Sequence, residues 1–308
     1  MKREKKNKRK KFNIVKILCA ICLSIIFVGL FIGTNTSEKT SIISEIKDKN
    51  IFAADIVTDT TWGGCKWKID GNGKLFIYAS SANGNFAAGE IPNIGSITSA
   101  PWYNYRTQIK TAQVGQSGSP VKVKEAADSR IGGMFNGCTN LTTVDFVNFD
   151  TSKATHMWYM FQKCSSLTTI NGFERIKADN TIQMAAMFYG CSSLQSLTLG
   201  SSFNSSKVTD MMYMFRDCSA LKNIYGFENL KTSSVTDMNC MFFGCYALEN
   251  LTFGTNFNTS NVTNMNYMFY NCDSMTEFNF GTYFNTSNVT TMRYMFCNCD
   301  KVTELDLS

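Results

Sequence analysis

The sequence contains a single histidine, His156, among 308 residues. Mechanisms that need an imidazole would all have to use this side chain. At the equivalent position of the later repeats, described below, the residues are polar but chemically unrelated: Gln183, Asp210, Asp237, Asn264 and Thr291. Such variety is typical of a solvated position. The pair Cys297-Asn-Cys299 has the spacing of metal ligands, but no histidine lies near it to complete a site. The sequence therefore predicts no enzymatic activity, no metal site and no cofactor.

A positively charged body is also lacking. The formal net charge is +6, but residues 1–16 hold nine Lys or Arg and one acid, which leaves 21 basic and 23 acidic residues elsewhere. A basic face that would neutralise nucleic-acid phosphates is therefore not expected. The basic residues at the N-terminus are instead typical of a flank that sets the orientation of a membrane segment.

Long hydrophobic runs are absent apart from Ile17–Gly33, which has 17 residues. As a helix it would span about 26 Å, slightly less than the ~30 Å hydrocarbon core of a bilayer. It is interpreted either as a cleaved signal peptide or as an uncleaved transmembrane helix, and both alternatives stay open. In either case we expect export, with the body on the cell surface, anchored to the membrane, or secreted.

The most regular feature present is Met-Phe followed three residues later by Cys, which occurs seven times. The first interval is 26 residues and the other five are 27. An interval this constant indicates one supersecondary unit stacked on copies of itself, which is a solenoid. The recurring cysteines are Cys138, Cys164, Cys191, Cys218, Cys245, Cys272 and Cys299.

Each repeat has two halves with different periods. In the first half, apolar residues recur at steps of three and four, which predicts a short helical segment. One such set is Val208, Met211, Met214, Phe215 and Cys218. In the second half, near-alternating apolar residues such as Leu248, Leu251 and Phe253 predict a strand. We therefore expect an α/β repeat solenoid of about seven strand-plus-short-helix units, with the strands in a parallel sheet.

The whole unit, N-T-S-N-V-T-x-M-x-Y-M-F-x-x-C-x-x-L-x-x-L, closely resembles the BspA-like leucine-rich repeat surface proteins of bacteria. The resemblance covers roughly residues 130–308. Trp62, Trp67 and Pro101-Trp102 resemble the β segment that precedes such repeats. The family has no shared catalytic residues. The resemblance implies placement on the cell surface and adhesion-type binding of proteins from the host, the matrix or neighbouring cells.

Four parts of the chain are predicted from these patterns. A hairpin is expected within the third part, with arms Lys66–Ile69 and Lys74–Tyr78 around the turn residues 70–73. The end of the last part, 304–308, is interpreted as an open or truncated strand. The four parts are 1–33 (basic flank and signal or transmembrane segment), 34–54 (linker), 55–128 (β-rich N-terminal cap region) and 129–308 (solenoid).

The seven recurring cysteines are predicted to form a buried ladder of reduced thiols. Neighbouring copies in a stacked solenoid would lie about 5 Å apart, which is within the Cα range of disulfides. Distance therefore does not exclude pairing, but side chains in register point in parallel, and this argues against it. Cys65, Cys240 and Cys297 lie off the ladder, and the sequence leaves their redox state open.

Binding is predicted on the outward-facing residues of the strands, which vary between copies. Gly172 and Gly226 replace the second apolar strand residue in two copies, which predicts a local bulge. The expected partners are extracellular or cell-surface proteins and glycans; the alternative is a structural stalk that self-associates end to end. The candidate binding residues are Thr169, Asn171, Ser196, Thr198, Asn223, Tyr225, Asn250, Thr252, Glu277, Asn279, Glu304 and Asp306.

Overall fold

Three antiparallel strands begin the part of the chain that the structure describes. The computed structural model describes residues 54–83, 85–303 and 305. Strands β1 (Val57–Trp62), β2 (Cys65–Ile69) and β3 (Lys74–Ala79) pair in sequence order. The turn between β2 and β3 is closed by Asp70 Oδ1, which accepts the backbone N–H of Lys74 at 2.8 Å. The predicted hairpin is confirmed.

The predicted membrane segment Ile17–Gly33 lies outside the described residues, as do the basic flank and almost all of the predicted linker. Between residue 54 and residue 305, the described parts of the chain contain no helix that is both long and apolar enough to cross a membrane.

The hairpin passes directly into a parallel sheet. Strand β3 pairs in parallel with β5 (Thr111–Val114), β5 with β7 (Thr143–Phe146), and β7 with β9 (Thr169–Asn171). The six-stranded order is β1-β2-β3-β5-β7-β9. The ladder thus runs without interruption across residues 128 and 129, the predicted boundary between cap region and solenoid. Stacked coils begin before the first Met-Phe motif.

Two smaller parallel ladders accompany this sheet. Strands β10 (Ser196–Thr198) and β11 (Asn223–Tyr225) pair with each other in the later coils. A second ladder joins β4 (Glu90–Ile91), β6 (Val121–Val123) and β8 (Phe149–Asp150) in the early coils. Together the three ladders hold successive coils in register.

The predicted helical half of each repeat is wrong. Within the described residues there is no α-helix, and the only helical segments are the 3-10 turns Tyr103–Tyr105, Phe173–Arg175 and Phe227–Asn229. The Met-Phe segments are chains of turns whose alternate amides donate to the next coil: Phe161 N–H donates to the Met187 carbonyl at 2.8 Å. These amides are therefore unavailable for i→i−4 bonds. Successive turns, like a helix, bury side chains that are three and four residues apart in the sequence.

Left-handed backbone at two positions of each later coil is incompatible with a continuous helix. In the first coil both positions are glycine, Gly133 and Gly137, with φ of 70° and 71°. In the six later coils the first position is always a residue other than glycine, with φ between 52° and 59°. These residues are Tyr159, Ala186, Tyr213, Cys240, Tyr267 and Tyr294.

A column of stacked phenylalanine rings forms the centre of the core. The ring centroids of adjacent coils are 5.3 to 5.9 Å apart. The motif methionines pack beside this column, and Met160, Met187, Met214, Met241 and Met268 are fully buried. The recurring phenylalanines and methionines are thus buried between stacked coils. The stacked rings are Phe135, Phe161, Phe188, Phe215, Phe242, Phe269 and Phe296.

The bulge predicted at Gly172 and Gly226 does not form. Both glycines are left-handed, with φ of 82° and 73°, and each begins a 3-10 turn that buries the following phenylalanine. A Cβ on Gly226 would lie 2.1 Å from the Leu199 carbonyl oxygen of the preceding coil. Glycine is required at this position because φ is positive and because the backbone of the preceding coil leaves no room for a Cβ atom.

The strands predicted in the last two complete coils, around Leu251 and Phe278, are also absent. The inward position held by Leu199 and Gly226 in the preceding coils is occupied here by Phe253 and Phe280. Their rings pack on each other at 4.9 Å. The ladder therefore opens where the inward side chains become larger.

Two adjacent phenylalanines separate the effect of the ring column from that of surface packing. Phe242 is fully buried and stacks on the phenylalanines of both neighbouring coils. Phe243 is partly exposed on the surface formed by the Met-Phe turns, which we call the turn side. We expect Phe242→Ala to lower the free energy of unfolding by about 3–5 kcal/mol. Phe243→Ala should cost about 1.5 kcal/mol or less. Urea unfolding monitored by circular dichroism measures both, and equal losses would contradict the assigned role of the column.

Candidate functional site

The outward side chains of the strands form a continuous face, which we call the strand face. Strand pairing places Thr143 beside Thr169, Ser196 beside Asn223, and Thr198 beside Tyr225. The inward residues between them, such as Leu197 and Ile224, are buried. Of the ten described candidate residues, Asn223 is half-buried and the other nine are exposed: Thr169, Asn171, Ser196, Thr198, Tyr225, Asn250, Thr252, Glu277 and Asn279. Tyr225 is 57% exposed.

Glu304 and Asp306, the last two candidate residues, lie outside the described residues. Of the ten candidate residues that the structure describes, Glu277 is the acidic one, and it is exposed.

Sequence reasoning missed the N-terminal continuation of the strand face. Lys74 of β3 pairs with Thr111, and Phe76 with Gln113, so both strands extend the same two rows of side chains. Lys74 Nζ donates to Gln113 Oε1 at 3.1 Å and lies 4.7 Å from the Phe76 ring centroid. The signal was the alternation of Lys74–Tyr78. The sequence places this alternation in a cap region and does not show its register with the repeats.

Charge is distributed unevenly along this face. Lys66 and Lys68 of β2 point outward beside Tyr78 and Phe76 of β3, since the residues that alternate with them, Cys65 and Trp67, are buried. In the middle, Asp145 Oδ1 accepts a hydrogen bond from Asn171 Nδ2 at 2.6 Å. The N-terminal end is therefore rich in lysine.

A cleft opens in the strand face where the ladder ends. Its volume is about 210 Å³. Four candidate residues line it, so the structure brings them together around one concavity. Its size is below the roughly 300–1,000 Å³ of sites that enclose a small-molecule ligand. The lining residues are Asn250, Leu251, Thr252, Phe253, Glu277 and Asn279.

Six of the seven recurring cysteines, from Cys164 to Cys299, donate a thiol hydrogen bond to the preceding coil. Cys218 Sγ lies 3.1 Å from the Phe188 carbonyl oxygen, and the same oxygen accepts the Cys191 backbone N–H at 3.0 Å. The motif phenylalanine carbonyl is thus bonded once within its coil and once from the next coil. The same thiol contact is made by Cys164, Cys191, Cys245, Cys272 and Cys299, at 3.0 to 3.3 Å.

Burial keeps these thiols protonated, which the hydrogen bond requires. It raises the pKa of Cys138 to about 12 and those of Cys164, Cys191, Cys245 and Cys272 well above 9.0. Cys299 is half-buried. A protonated, buried thiol is a poor nucleophile and a poor metal ligand.

All ten cysteines within the described residues are free. Among those outside the ladder, Cys65 is buried in β2, Cys240 is buried at a left-handed position, and Cys297 is half-buried. In the described ranges, no three His, Cys, Asp or Glu side chains are grouped so that they could hold a metal ion.

His156 is not the solvated residue that the sequence suggests. Its side chain is 13% exposed, and its Nδ1 lies 3.2 Å from Asp128 Oδ1 and 2.9 Å from Thr155 Oγ1. Burial lowers the pKa of His156, against the raising effect of Asp128. Both partners contact the same nitrogen. The Thr155 hydroxyl is also bonded to the Ser129 carbonyl at 3.0 Å. The group is a structural contact between coils.

Two aspartates are adjacent in the column that contains His156. Asp210 and Asp237 are bridged in parallel register, and burial together with the Asp237 charge raises the pKa of Asp210. The next coil places Asn264 there, and it donates to Asp237 Oδ2 at 3.2 Å. The carboxylate pair therefore destabilises the fold locally, and the residues of this column contact one another across neighbouring coils.

Comparison with known families identifies the repeats. The model of a family described as "Mycoplasma protein of unknown function, DUF285" matches residues 129–229 and 222–306, which is more than half of the chain. The chain belongs to this family. The match covers the Met-Phe repeats almost from end to end, and the predicted resemblance to BspA-like leucine-rich repeat proteins is confirmed at the level of family. No curated protein matches the chain significantly.

Two solved structures are similar to this DUF285 chain. A leucine-rich repeat protein from Eubacterium ventriosum is 17% identical, with 80% of this chain and 84% of that chain covered and a TM-score of 0.27. A leucine-rich cell surface protein from Faecalibacterium prausnitzii is 14% identical, with 67% of this chain and 54% of that chain covered and a TM-score of 0.34. This chain therefore spans about half of the second protein.

The thiol ladder predicts a loss of stability in alkali. Below pH 9 the folded and unfolded chains both hold the thiol protons. Above it the unfolded chain releases protons that the folded chain retains, so the free energy of unfolding falls until the folded pKa, about 12 for Cys138, is reached. Each buried thiol contributes about 1.36 kcal/mol per pH unit in that window. The free energy of unfolding, measured with urea between pH 8 and 10.5, should fall less steeply with pH in Cys218→Ala than in the unchanged protein, by this amount. An unchanged slope would contradict protonated thiols.

The aspartate pair predicts that removing one charge stabilises the fold. Because the pKa of Asp210 is raised, its contribution to stability is fully present below pH 3.8 and is lost as pH rises through the folded value. Asp237→Asn should therefore raise the free energy of unfolding at pH 7 by about 0.5–1 kcal/mol. The gain should vanish at pH 3. Asn264→Asp, which lengthens the acidic column, should lower stability at pH 7, and thermal unfolding measures both variants.

Proposed function

We propose that this DUF285 protein is an exported cell-surface protein that binds other macromolecules through its strand face and has no enzymatic activity. One observation carries the proposal: the residues that recur are buried in coil stacking, whereas the exposed strand residues differ from coil to coil. Varied side chains on a regular, hydrogen-bonded scaffold suit recognition of an extended partner. The expected partners are proteins or glycans of a host, a matrix or neighbouring cells.

The chemistry of the strand face supports adhesion-type binding. The face presents hydroxyls, carboxamides and a few charges, with Tyr225 as the most exposed aromatic side chain on it. Tyrosine is enriched among the residues that dominate binding energy, because it combines apolar area with a hydrogen-bonding hydroxyl. The cleft beside Glu277 adds one concave feature that would receive a partner side chain or sugar.

A pair of exposed tyrosines tests whether binding uses this face. Tyr225 is 57% exposed on the strand face, and Tyr246 is 45% exposed outside it. Purified full-length chain is applied to arrays of glycans and purified extracellular-matrix proteins. For a ligand found there, we expect Tyr225→Ser to weaken binding at least tenfold and Tyr246→Ser less than twofold. Equal effects would place the binding surface elsewhere.

Surface exposure is tested separately on intact cells. Protease added outside should release fragments of the repeats, while a cytoplasmic marker protein stays uncut. Repeats that remain protected until the cells are lysed would contradict export.

A further inference from the structure

The strand face contains two parallel rows of side chains whose order is self-complementary. Each row takes one residue from each successive coil. Strand pairing determines which residues are neighbours in the row from β3 to β5, β7 and β9, and again from β10 to β11. The bridged column His156, Gln183, Asp210, Asp237, Asn264 and Thr291 extends the 27-residue register to the later coils. The first row is Lys74, Thr111, Thr143, Thr169, Ser196, Asn223, Asn250 and Glu277. The second is Phe76, Gln113, Asp145, Asn171, Thr198, Tyr225, Thr252 and Asn279.

We propose that the partner of the strand face is the strand face of a second copy of this chain. The two copies would be related by a two-fold axis parallel to the strands that passes between Thr169 and Ser196. Such an axis reverses the order of the coils and keeps each row opposite itself. This inference rests on the proposed function and names the partner of the same surface.

Charge complementarity selects this arrangement. With the coil order reversed, Lys74 faces Glu277 of the other copy and Asp145 faces the hydroxyl of Tyr225. The remaining opposed pairs of the first row join Thr or Ser to Thr, Ser or Asn, all of which donate and accept hydrogen bonds. Along both rows no two like charges are opposed. Each two-fold contact occurs twice, so one complex contains two Lys74–Glu277 pairs.

The other face-to-face arrangement is disfavoured. A two-fold axis along the stack of coils would place each coil against its own counterpart and exchange the two rows. Lys74 would then face Phe76, and Glu277 would face Asn279, so neither charge gains an opposite partner. Neither arrangement opposes like charges, and the formation of ion pairs therefore favours the reversed order.

The size of the face sets the strength of the contact. Eight coils at about 4.8 Å give rows roughly 34 Å long, and two rows of side chains bury less than the ~800 Å² per partner of stable complexes. A single contact should therefore be weak. Many copies displayed on two apposed surfaces would bind through avidity, which multiplies weak contacts without new ones.

Zero-length crosslinking gives a direct test on the full-length chain. Lys74 and Glu277 are seven coil spacings apart, about 34 Å, so an amide bond formed between them by carbodiimide must join two molecules. Purified full-length protein in detergent, mixed from ¹⁴N- and ¹⁵N-labelled batches, should yield Lys74–Glu277 peptides of mixed label. Crosslinked molecules without this peptide pair would overturn the proposed arrangement.

Charge exchange tests the same contact through avidity. Beads coated with full-length chain should aggregate, and Lys74→Glu or Glu277→Lys alone should slow aggregation at least tenfold. The double variant Lys74→Glu with Glu277→Lys should restore it, because the reversed pair is again complementary. Lys163→Glu makes the same charge change on the exposed turn side and should leave aggregation unchanged. If all four variants aggregate at the same rate as the unchanged protein, the inference is refuted.

These outcomes distinguish the inference from the proposed function. If the beads do not aggregate but bind a matrix protein or glycan through Tyr225, the strand face is an adhesion surface for a foreign partner and the self-pairing is wrong. If charge-dependent aggregation occurs but protease does not reach the repeats on intact cells, self-pairing stands and surface adhesion is wrong.

Discussion

Backbone hydrogen bonding from coil to coil is the constraint on which the rest of this structure depends. Alternate amides of each Met-Phe segment donate to the next coil, as Phe161 does to Met187. This geometry fixes the register, and the register brings identical side chains into columns. Phenylalanine rings then stack, and six of the recurring thiols donate to a carbonyl of the preceding coil, as Cys218 does to Phe188. Recurrence in the sequence is therefore the signature of stacking.

Sequence patterns predicted the stack but not its backbone. The constant 27-residue interval and the alternation in β2 and β3 reflect side-chain burial, which a single sequence records directly. The Met-Phe segment has the spacing of a helix, yet it forms turns, because spacing reports which side chains are buried and not where the amides donate. The left-handed residues Tyr213 and Tyr267 carry no sequence signal of their φ, since glycine is the residue normally expected there.

Contacts between distant segments were also beyond sequence reasoning. Lys74 belongs to the same row as Thr169 only because β3, β5, β7 and β9 are parallel neighbours. His156 looked solvated because its counterparts are unrelated polar residues, but Asp128 of the preceding coil covers it. In both cases the deciding fact is which coil lies beside which. Ten of the twelve predicted binding residues could nevertheless be placed, because alternation within a strand determines which side chains point outward.

The turn side of the solenoid offers a second exposed surface, and its energetics argue that it stabilises the stack. Tyrosine in left-handed backbone costs about 1 kcal/mol or more, and the chain accepts this cost in several coils. The rings recover it locally: Tyr267 stacks on Tyr294 at 5.2 Å, Phe243 on Tyr270 at 4.9 Å, and the Arg216 guanidinium lies 4.5 Å from the Phe243 ring. Stacking covers one face of each of these rings, and Tyr294 remains 60% exposed. Among the described side chains of the strand face, a comparable ring contact is made at Phe76, by Lys68 and Lys74.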